Sequence, residues 1–301
     1  MVARMTEARQ ITIGLADLNL AALSWGEQDA PLALLLHGYP DTAWTWRHLG
    51  PELAAFGYRA VAPFMRGYAP SGYAPDGGYQ VGALGADAIG LAERLNPGRA
   101  TVLIGHDWGA IGASAAAATR PELWSSVVTM AVPPIGPLLW SGWIPRHLPL
   151  LRRQVNASWY VFLQNVPGFS ERRLDEVIPR LWADWSPGYD ATEDLQYVWA
   201  AINEPKRRTA VLRYYRALLN PLYFRPRYYR HQRRWTRPLP GRWMWLHGER
   251  DGCLLADLAR ESLARLPRPN EHEILPTVGH FMHLEDPRLI NARIKGFIGT
   301  P

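Results

Sequence analysis

Ala100-Thr101-Val102-Leu103-Ile104-Gly105-His106-Asp107-Trp108-Gly109-Ala110 is the stretch on which the reading of this chain turns. Ala100 to Ile104 is a short apolar run of the kind that makes a buried strand. Gly105-His106-Asp107-Trp108-Gly109 interrupts it, and the small residues from Ala110 to Ala118 suit a closely packed helix. Strand, sharp turn and helix in that order form an elbow that carries its central side chain above the sheet, commonly as G-x-S-x-G with a serine at the apex. Here the apex is Asp107. A serine attacks carbonyl carbon. A carboxylate can displace a leaving group from saturated carbon and hold the product as an ester. A helix starting directly after Asp107 favours a negative charge there and predicts an ionised side chain. Aspartate is also an ordinary N-cap, but a cap requires neither Gly105 nor Gly109.

Working outward, short apolar segments alternate with helical patterns. Ile11 to Ala16 and Leu18 to Trp25 read as a hairpin. Leu32 to Leu36, Arg59 to Phe64, Thr101 to Ile104, Ser126 to Val132, Trp243 to His247 and Glu271 to Leu275 read as further strands, and Val81 to Leu95 has helical spacing. The alternation predicts an α/β protein with a mostly parallel, eight-stranded sheet and helices on both faces. From about Pro134 to Pro240 no strand pattern appears, and the helical stretches are rich in Trp, Tyr and Arg. We read residues 134–240 as an inserted helical cap and residues 1–133 with 241–301 as the core domain. In an open α/β sheet ligands bind beyond the carboxyl ends of the strands, which is where such an insertion sits.

Composition bounds the alternatives. The chain has 301 residues, 48% hydrophobic and 20% charged, enough for one large core. The net charge of +6 is carried almost wholly by arginine, and no nucleic-acid module accompanies it, so a solvated basic surface is expected and no nucleic-acid partner. One cysteine, Cys253, excludes an intramolecular disulfide, and no zinc-ligand spacing is present. Val127 to Pro145 is uncharged, but Pro133, Pro134, Gly136 and Pro137 make it a strand leading into an apolar connection rather than a membrane segment. The polar start, Met1 to Gln10, lacks an apolar signal core, and a soluble cytoplasmic protein, monomer or homodimer, is expected.

Three further residues complete a reactive set. His37-Gly38-Tyr39-Pro40 ends an early strand, where one donor of an oxyanion hole comes from the loop and the other from the residue after the nucleophile. Those donors are Tyr39 and Trp108. Asp251 follows the strand Trp243 to His247, and His280 follows the last strand in Gly279-His280-Phe281. Nucleophile, acid and histidine in that chain order form a triad in which His280 activates water and Asp251 orients it. The rivals are Glu249 for the acid and His283 for the base. His37, Pro40, Trp108 and Phe281 are the expected pocket residues.

On His37-Gly38-Tyr39-Pro40 with Trp46-Arg47, Gly105-His106-Asp107-Trp108-Gly109, and Gly279-His280-Phe281 with Glu285 and Pro287, the chain resembles α/β-hydrolase-fold epoxide hydrolases, which are related to haloalkane dehalogenases. The resemblance implies an α/β-hydrolase fold and hydrolysis of a small apolar epoxide to a vicinal diol without cofactor or metal. It also implies two cap tyrosines on the epoxide oxygen. Tyr215, in Tyr214-Tyr215-Arg216, matches one; Tyr160, in Ser158-Trp159-Tyr160 ahead of Gln164, matches the other with a spacing one residue short. Phe64 and Ala69 depart from the family's D-x-R-G-Y-G-x-S segment, which reads here Phe64-Met65-Arg66-Gly67-Tyr68-Ala69-Pro70-Ser71. A dehalogenase using the same Asp107, with Trp108 and Trp182, Trp185 or Trp199 as halide donors, is the alternative enzyme. A non-catalytic ligand binder on the same fold is the second alternative, though a binder needs no base.

Overall fold

The computed structural model describes residues 7–140, 147–266 and 271–301. Eight strands form one sheet: β1 (Arg9–Gly14), β2 (Asn19–Trp25), β3 (Leu32–Leu36), β4 (Arg59–Pro63), β5 (Thr101–His106), β6 (Trp124–Met130), β7 (Trp243–Gly248) and β8 (Glu271–Leu275). Their order is β1-β2-β4-β3-β5-β6-β7-β8. Pairing is antiparallel between β1 and β2 and between β2 and β4, and parallel from β4 through to β8. The central strands β3, β5 and β7 are buried along their whole length. Continuous apolar runs rather than alternation mark strands covered on both sides.

The expected strands are present, with shifts at their ends. β6 ends at Met130 rather than Val132, because Ala131 turns to φ 68° and leaves the extended region. Its N–H donates to Leu246 O on β7, so the chain is still pinned where it departs from the sheet.

Helices α1 (Leu49–Ala55), α2 (Val81–Leu95) and α3 (Trp108–Thr119) follow β3, β4 and β5 in the chain. Between β6 and β7 the described residues hold no strand, and the chain forms α4 (Gly136–Trp140), α5 (Leu148–Ala157), α6 (Trp159–Gln164), α7 (Phe169–Trp185), α8 (Thr192–Ile202), α9 (Pro205–Leu219) and α10 (Tyr229–Gln232). The chain closes with α11 (Ala256–Leu263), α12 (Met282–Glu285) and α13 (Pro287–Ile298). Helices α2 and α3 pack on each other, and α1 packs with α13.

The apolar core of the sheet continues without a break into the helical segment. Leu174, Ile178 and Leu181 of α7, Val198 of α8, and Val211 and Leu212 of α9 are all fully buried. Arg216 ties three of its helices together: it pairs with Glu171 at 2.9 Å, donates to Gln164 O at 3.2 Å and to Ser170 Oγ at 3.1 Å. Those bonds satisfy a buried cation and a helix-end carbonyl together, which is what makes such a charge tolerable inside. The last helix of the segment behaves differently. Tyr229–Gln232 lies against α2 and α3, and Gln232 Oε1 accepts the N–H of Gly82 at 2.7 Å. Residues 229–232 therefore rest beside the core helices.

Part of the uncharged stretch from Val127 to Pro145 lies outside the described residues. Among those described, no helix is long and apolar enough to cross a membrane.

Candidate active site

Asp107 sits at φ 50°, ψ −120°, a backbone region that costs a non-glycine residue on the order of 1–3 kcal/mol. The elbow is held there from both sides. A Cβ on Gly109 would lie 2.1 Å from Leu36 O, so only glycine lets α3 press against the end of β3. A Cβ on Gly38 would lie 2.4 Å from the Asp107 carboxylate, so the loop after β3 also requires glycine at the point of closest approach. Asp107 makes no side-chain cap to its helix. Its Oδ1 instead accepts the N–H of Tyr39 at 2.7 Å, and the carboxylate also accepts the N–H of Trp108. The ordinary N-cap reading is thereby replaced by a carboxylate clamped between one loop amide, Tyr39, and the first amide of α3, Trp108.

The charge state differs from the simple helix-end expectation. Burial pushes the Asp107 carboxyl up to about 7, against the pull of the Tyr39 and Trp108 amides. Desolvation outweighs the two hydrogen bonds because the side chain is shut away from water.

His280 faces this carboxylate. Its Nε2 stands 3.8 Å from Asp107 Oδ2, and its Nδ1 donates to Asp251 Oδ2 at 3.0 Å. Asp251 Oδ1 accepts the N–H groups of Cys253 at 2.7 Å and Leu254 at 3.1 Å. The acid is thus fixed by backbone, and the imidazole is fixed by the acid in the tautomer that leaves Nε2 with a lone pair. Burial holds the His280 ring down to about 3, so it is a neutral base at neutral pH. Burial also raises Asp251 to about 7, opposed by His247 and the two amides. Trp185 O accepts the His280 N–H at 2.9 Å, and the Trp185 ring lies 4.8 Å from the imidazole.

The rivals are placed elsewhere. Glu249 is exposed and pairs with Arg260. His283 Nε2 is 2.5 Å from Thr45 Oγ1, and the ring stacks on Trp46 at 4.9 Å.

Aromatic residues of α6, α7 and α9 close over the carboxylate. The Tyr215 ring lies 5.1 Å from both Tyr39 and Trp108 and 5.6 Å from Tyr160. Its hydroxyl is buried and has no hydrogen-bond partner among the described residues. Burial, then Tyr160 and Asp107, keep that hydroxyl well above the usual tyrosine range and hence protonated. The Tyr160 hydroxyl is 3.3 Å from Cys253 Sγ. Gln164 donates to the Tyr39 hydroxyl at 2.8 Å. Trp182 stacks on Phe281 at 3.5 Å and donates to Pro40 O at 3.1 Å, so two of the expected pocket residues are covered by α7. His37 is spent inside the protein: its Nδ1 meets Gly38 O at 2.8 Å and its Nε2 accepts the Met65 N–H at 2.9 Å. That bond joins the loops after β3 and β4, the place where the segment from Phe64 to Ser71 departs from the family pattern.

Cys253 and Gln164, neither among the site residues expected from the sequence, also lie beside this cluster. Gln164 lies one helical turn from Tyr160 on the same face, a signal available in the spacing. Cys253 follows Asp251 by two residues, and only the fold of that loop turns it inward.

A strained carboxylate elbow between two amides, with a histidine–carboxylate pair opposite, defines an α/β-hydrolase. The sequence model of the α/β-hydrolase fold family matches residues 31–287, and the chain belongs to that family. It is 29% identical over 289 residues to the AB hydrolase superfamily protein YfhM of Bacillus subtilis, covering 93% of this chain and 94% of that one. Epoxide hydrolase 4 of Mus musculus is 28% identical over 284 residues, covering 91% of this chain and 74% of that protein. Among solved structures, an epoxide hydrolase from Vigna radiata superposes with a TM-score of 0.79 at 24% identity, over 98% of this chain and 99% of that one.

Proposed function

We propose that this protein is an epoxide hydrolase that works through a covalent ester on Asp107, with residues 134–240 supplying the cap. Tyr215 and Tyr160 hold the epoxide oxygen while Asp107 attacks a ring carbon. The C–O bond of the ring breaks, the tyrosine proton moves toward the alkoxide, and a β-hydroxyalkyl ester remains. His280, oriented by Asp251, then takes a proton from water, and the hydroxide adds to the Asp107 carbonyl carbon. The Tyr39 and Trp108 amides stabilise the resulting oxyanion, and a vicinal diol leaves.

One observation carries epoxide over halide as the group expelled. The Tyr215 hydroxyl is buried above the nucleophile without a partner among the described residues. A buried donor left unpaired is costly unless something it binds returns the bond. An epoxide oxygen is an acceptor of that kind, and its developing charge strengthens the bond in the transition state. The relatives named epoxide hydrolases support the same reading. The aromatic enclosure favours an apolar substrate.

The test is a single turnover in isotopically labelled water with styrene oxide. An ester route puts label first into Asp107 and leaves the first diol unlabelled. Label appearing directly in the first diol overturns the nucleophile assignment. Halide release from bromoalkanes without diol formation from epoxides overturns the leaving group.

A further inference from the structure

The single cysteine of the chain is not a bystander. Cys253 Sγ, a carboxylate oxygen of Asp107 and a ring nitrogen of His280 lie within 4.8 Å of one another, and all three residues are buried. His280 has only Nε2 to offer, because Nδ1 is engaged by Asp251 at 3.0 Å. That Nε2 is buried and without a hydrogen-bond partner among the described residues, and it points toward Asp107 Oδ2 at 3.8 Å. Zinc bonds of about 2.0–2.3 Å place tetrahedral ligand atoms roughly 3.5 Å apart, close to that separation.

We propose that Asp107, Cys253 and His280 form a binding site for a thiophilic divalent cation of the zinc and cadmium class, and that occupancy shuts off the enzyme. The donor set is one thiolate, one imidazole and one carboxylate, which suits a borderline or soft ion and not magnesium. Binding breaks the Cys253 S–H bond, forms the sulfur–metal bond and releases one proton to solvent. The Tyr160 hydroxyl, 3.3 Å from Sγ, can donate to the metal-bound thiolate, which keeps further lone pairs. The fourth position is left to water. A bound cation occupies the nucleophile and the base together, so neither half of the reaction proceeds. Magnesium, which prefers oxygen ligands in an octahedron, finds one carboxylate here and is not retained.

Because Cys253 is the only cysteine, a cadmium–thiolate charge-transfer band in the ultraviolet reports this site alone. Titration with Cd²⁺ should give that band with one equivalent per chain, and Asp107→Asn or His280→Gln should weaken the titration at least tenfold. A band that titrates equally well in those variants places the metal on the thiol alone and overturns the site. In activity assays Zn²⁺ should inhibit the unmodified protein, magnesium should not, and Cys253→Ser should raise the inhibition constant at least tenfold. The serine keeps a hydroxyl for Tyr160 and removes the soft ligand. Equal zinc inhibition of Cys253→Ser overturns the proposal. The inhibition arm rests on the hydrolase reading; the spectroscopic arm does not, so failure of one is distinguishable from failure of the other.

Discussion

The backbone N–H of Tyr39 donates to Oδ1 of Asp107 at 2.7 Å, joining residues 68 positions apart in the chain. The contact is possible because Gly38 brings bare backbone against the carboxylate. A methyl group at Gly38 would stand 2.4 Å from Asp107 Oδ1, closer than any real contact. Gly38→Ala should therefore displace the loop amide or the nucleophile and lower the rate of ester formation at least tenfold. The stability cost should be about 1–3 kcal/mol, as for overpacking in a core. Rapid-quench kinetics beside a thermal melt separates the two effects. An unchanged rate of ester formation would mean that the Tyr39 amide does not set the position of Asp107.

The two tyrosines should behave unequally. Tyr160 already has Cys253 Sγ at 3.3 Å, whereas the Tyr215 hydroxyl has no partner among the described residues. Tyr215→Phe should slow ester formation by about a hundredfold, the usual scale for a lost proton donor. Tyr160→Phe should slow it less. Removing a buried hydroxyl that is unpaired in the free protein should leave Tyr215→Phe as stable as the parent, or more stable by up to about 1 kcal/mol. Chemical denaturation checks that sign, and single-turnover rates check the order. A larger kinetic loss in Tyr160→Phe would reverse the roles.

On the proposed mechanism, rate should depend on pH through Asp107. Burial raises the Asp107 carboxyl from its ordinary value to about 7, and only the ionised form attacks carbon. Ester formation should be full above that value and fall tenfold for each unit of pH below it. The same shift acts on stability in the opposite direction. A carboxyl whose folded pKa is raised contributes stability in acid and loses it as pH rises through about 7. Asp251 adds to the same loss, since burial raises it to about 7 as well. His280 works the other way. Held down to about 3 by burial, it withdraws stability as pH falls below the ordinary imidazole range. A pH series of pre-steady-state rates shows whether the acid limb lies near neutrality; a flat profile down to pH 5 would mean that the amides outweigh burial.

Much of this arrangement is legible in the residues. Chain order and glycine placement are local facts, and they announce the elbow at Asp107, the loop at Tyr39 and the strand-end positions of Asp251 and His280. Strand cores are legible for the same reason: β3 has the expected ends because its apolar run stops at turn residues, and β8, though mostly polar, also spans the residues expected. What is not legible depends on distance in three dimensions. The helix start beside Asp107 predicts an ionised side chain, but the amount of water excluded by α6, α7 and α9 decides the charge, and no spacing encodes it. Cys253 carries no motif. Its position beside Tyr160 follows from Asp251 Oδ1 accepting two successive loop amides, which curls the chain inward. β6 ends two residues before the apolar run does, since Val132 is apolar while the backbone turn at Ala131 leaves no mark in composition.

The acid assignment makes the most discriminating prediction. Asp251 Oδ2 accepts His280 Nδ1–H while Oδ1 accepts two backbone N–H groups, so all of its bonds require acceptor oxygens. Asparagine at this position has one oxygen. If that oxygen faces the amides, the NH₂ group meets Nδ1 and forces the imidazole into the tautomer that carries its proton on Nε2. A base protonated at Nε2 cannot take a proton from water. Asp251→Asn should therefore slow ester hydrolysis by on the order of a thousandfold or more, a scale seen when a triad imidazole is held in the wrong tautomer. Ester formation does not use this base and should fall far less, so the alkylated enzyme should accumulate. Mass spectrometry of the intact protein after a short incubation with epoxide should show one adduct per chain, on the peptide containing Asp107. Glu249 is the control. It is exposed and paired with Arg260, and a surface pair of this kind contributes little. Glu249→Gln should leave both steps within about twofold of the parent. Adduct accumulation in Glu249→Gln and not in Asp251→Asn would transfer the role of the acid to Glu249.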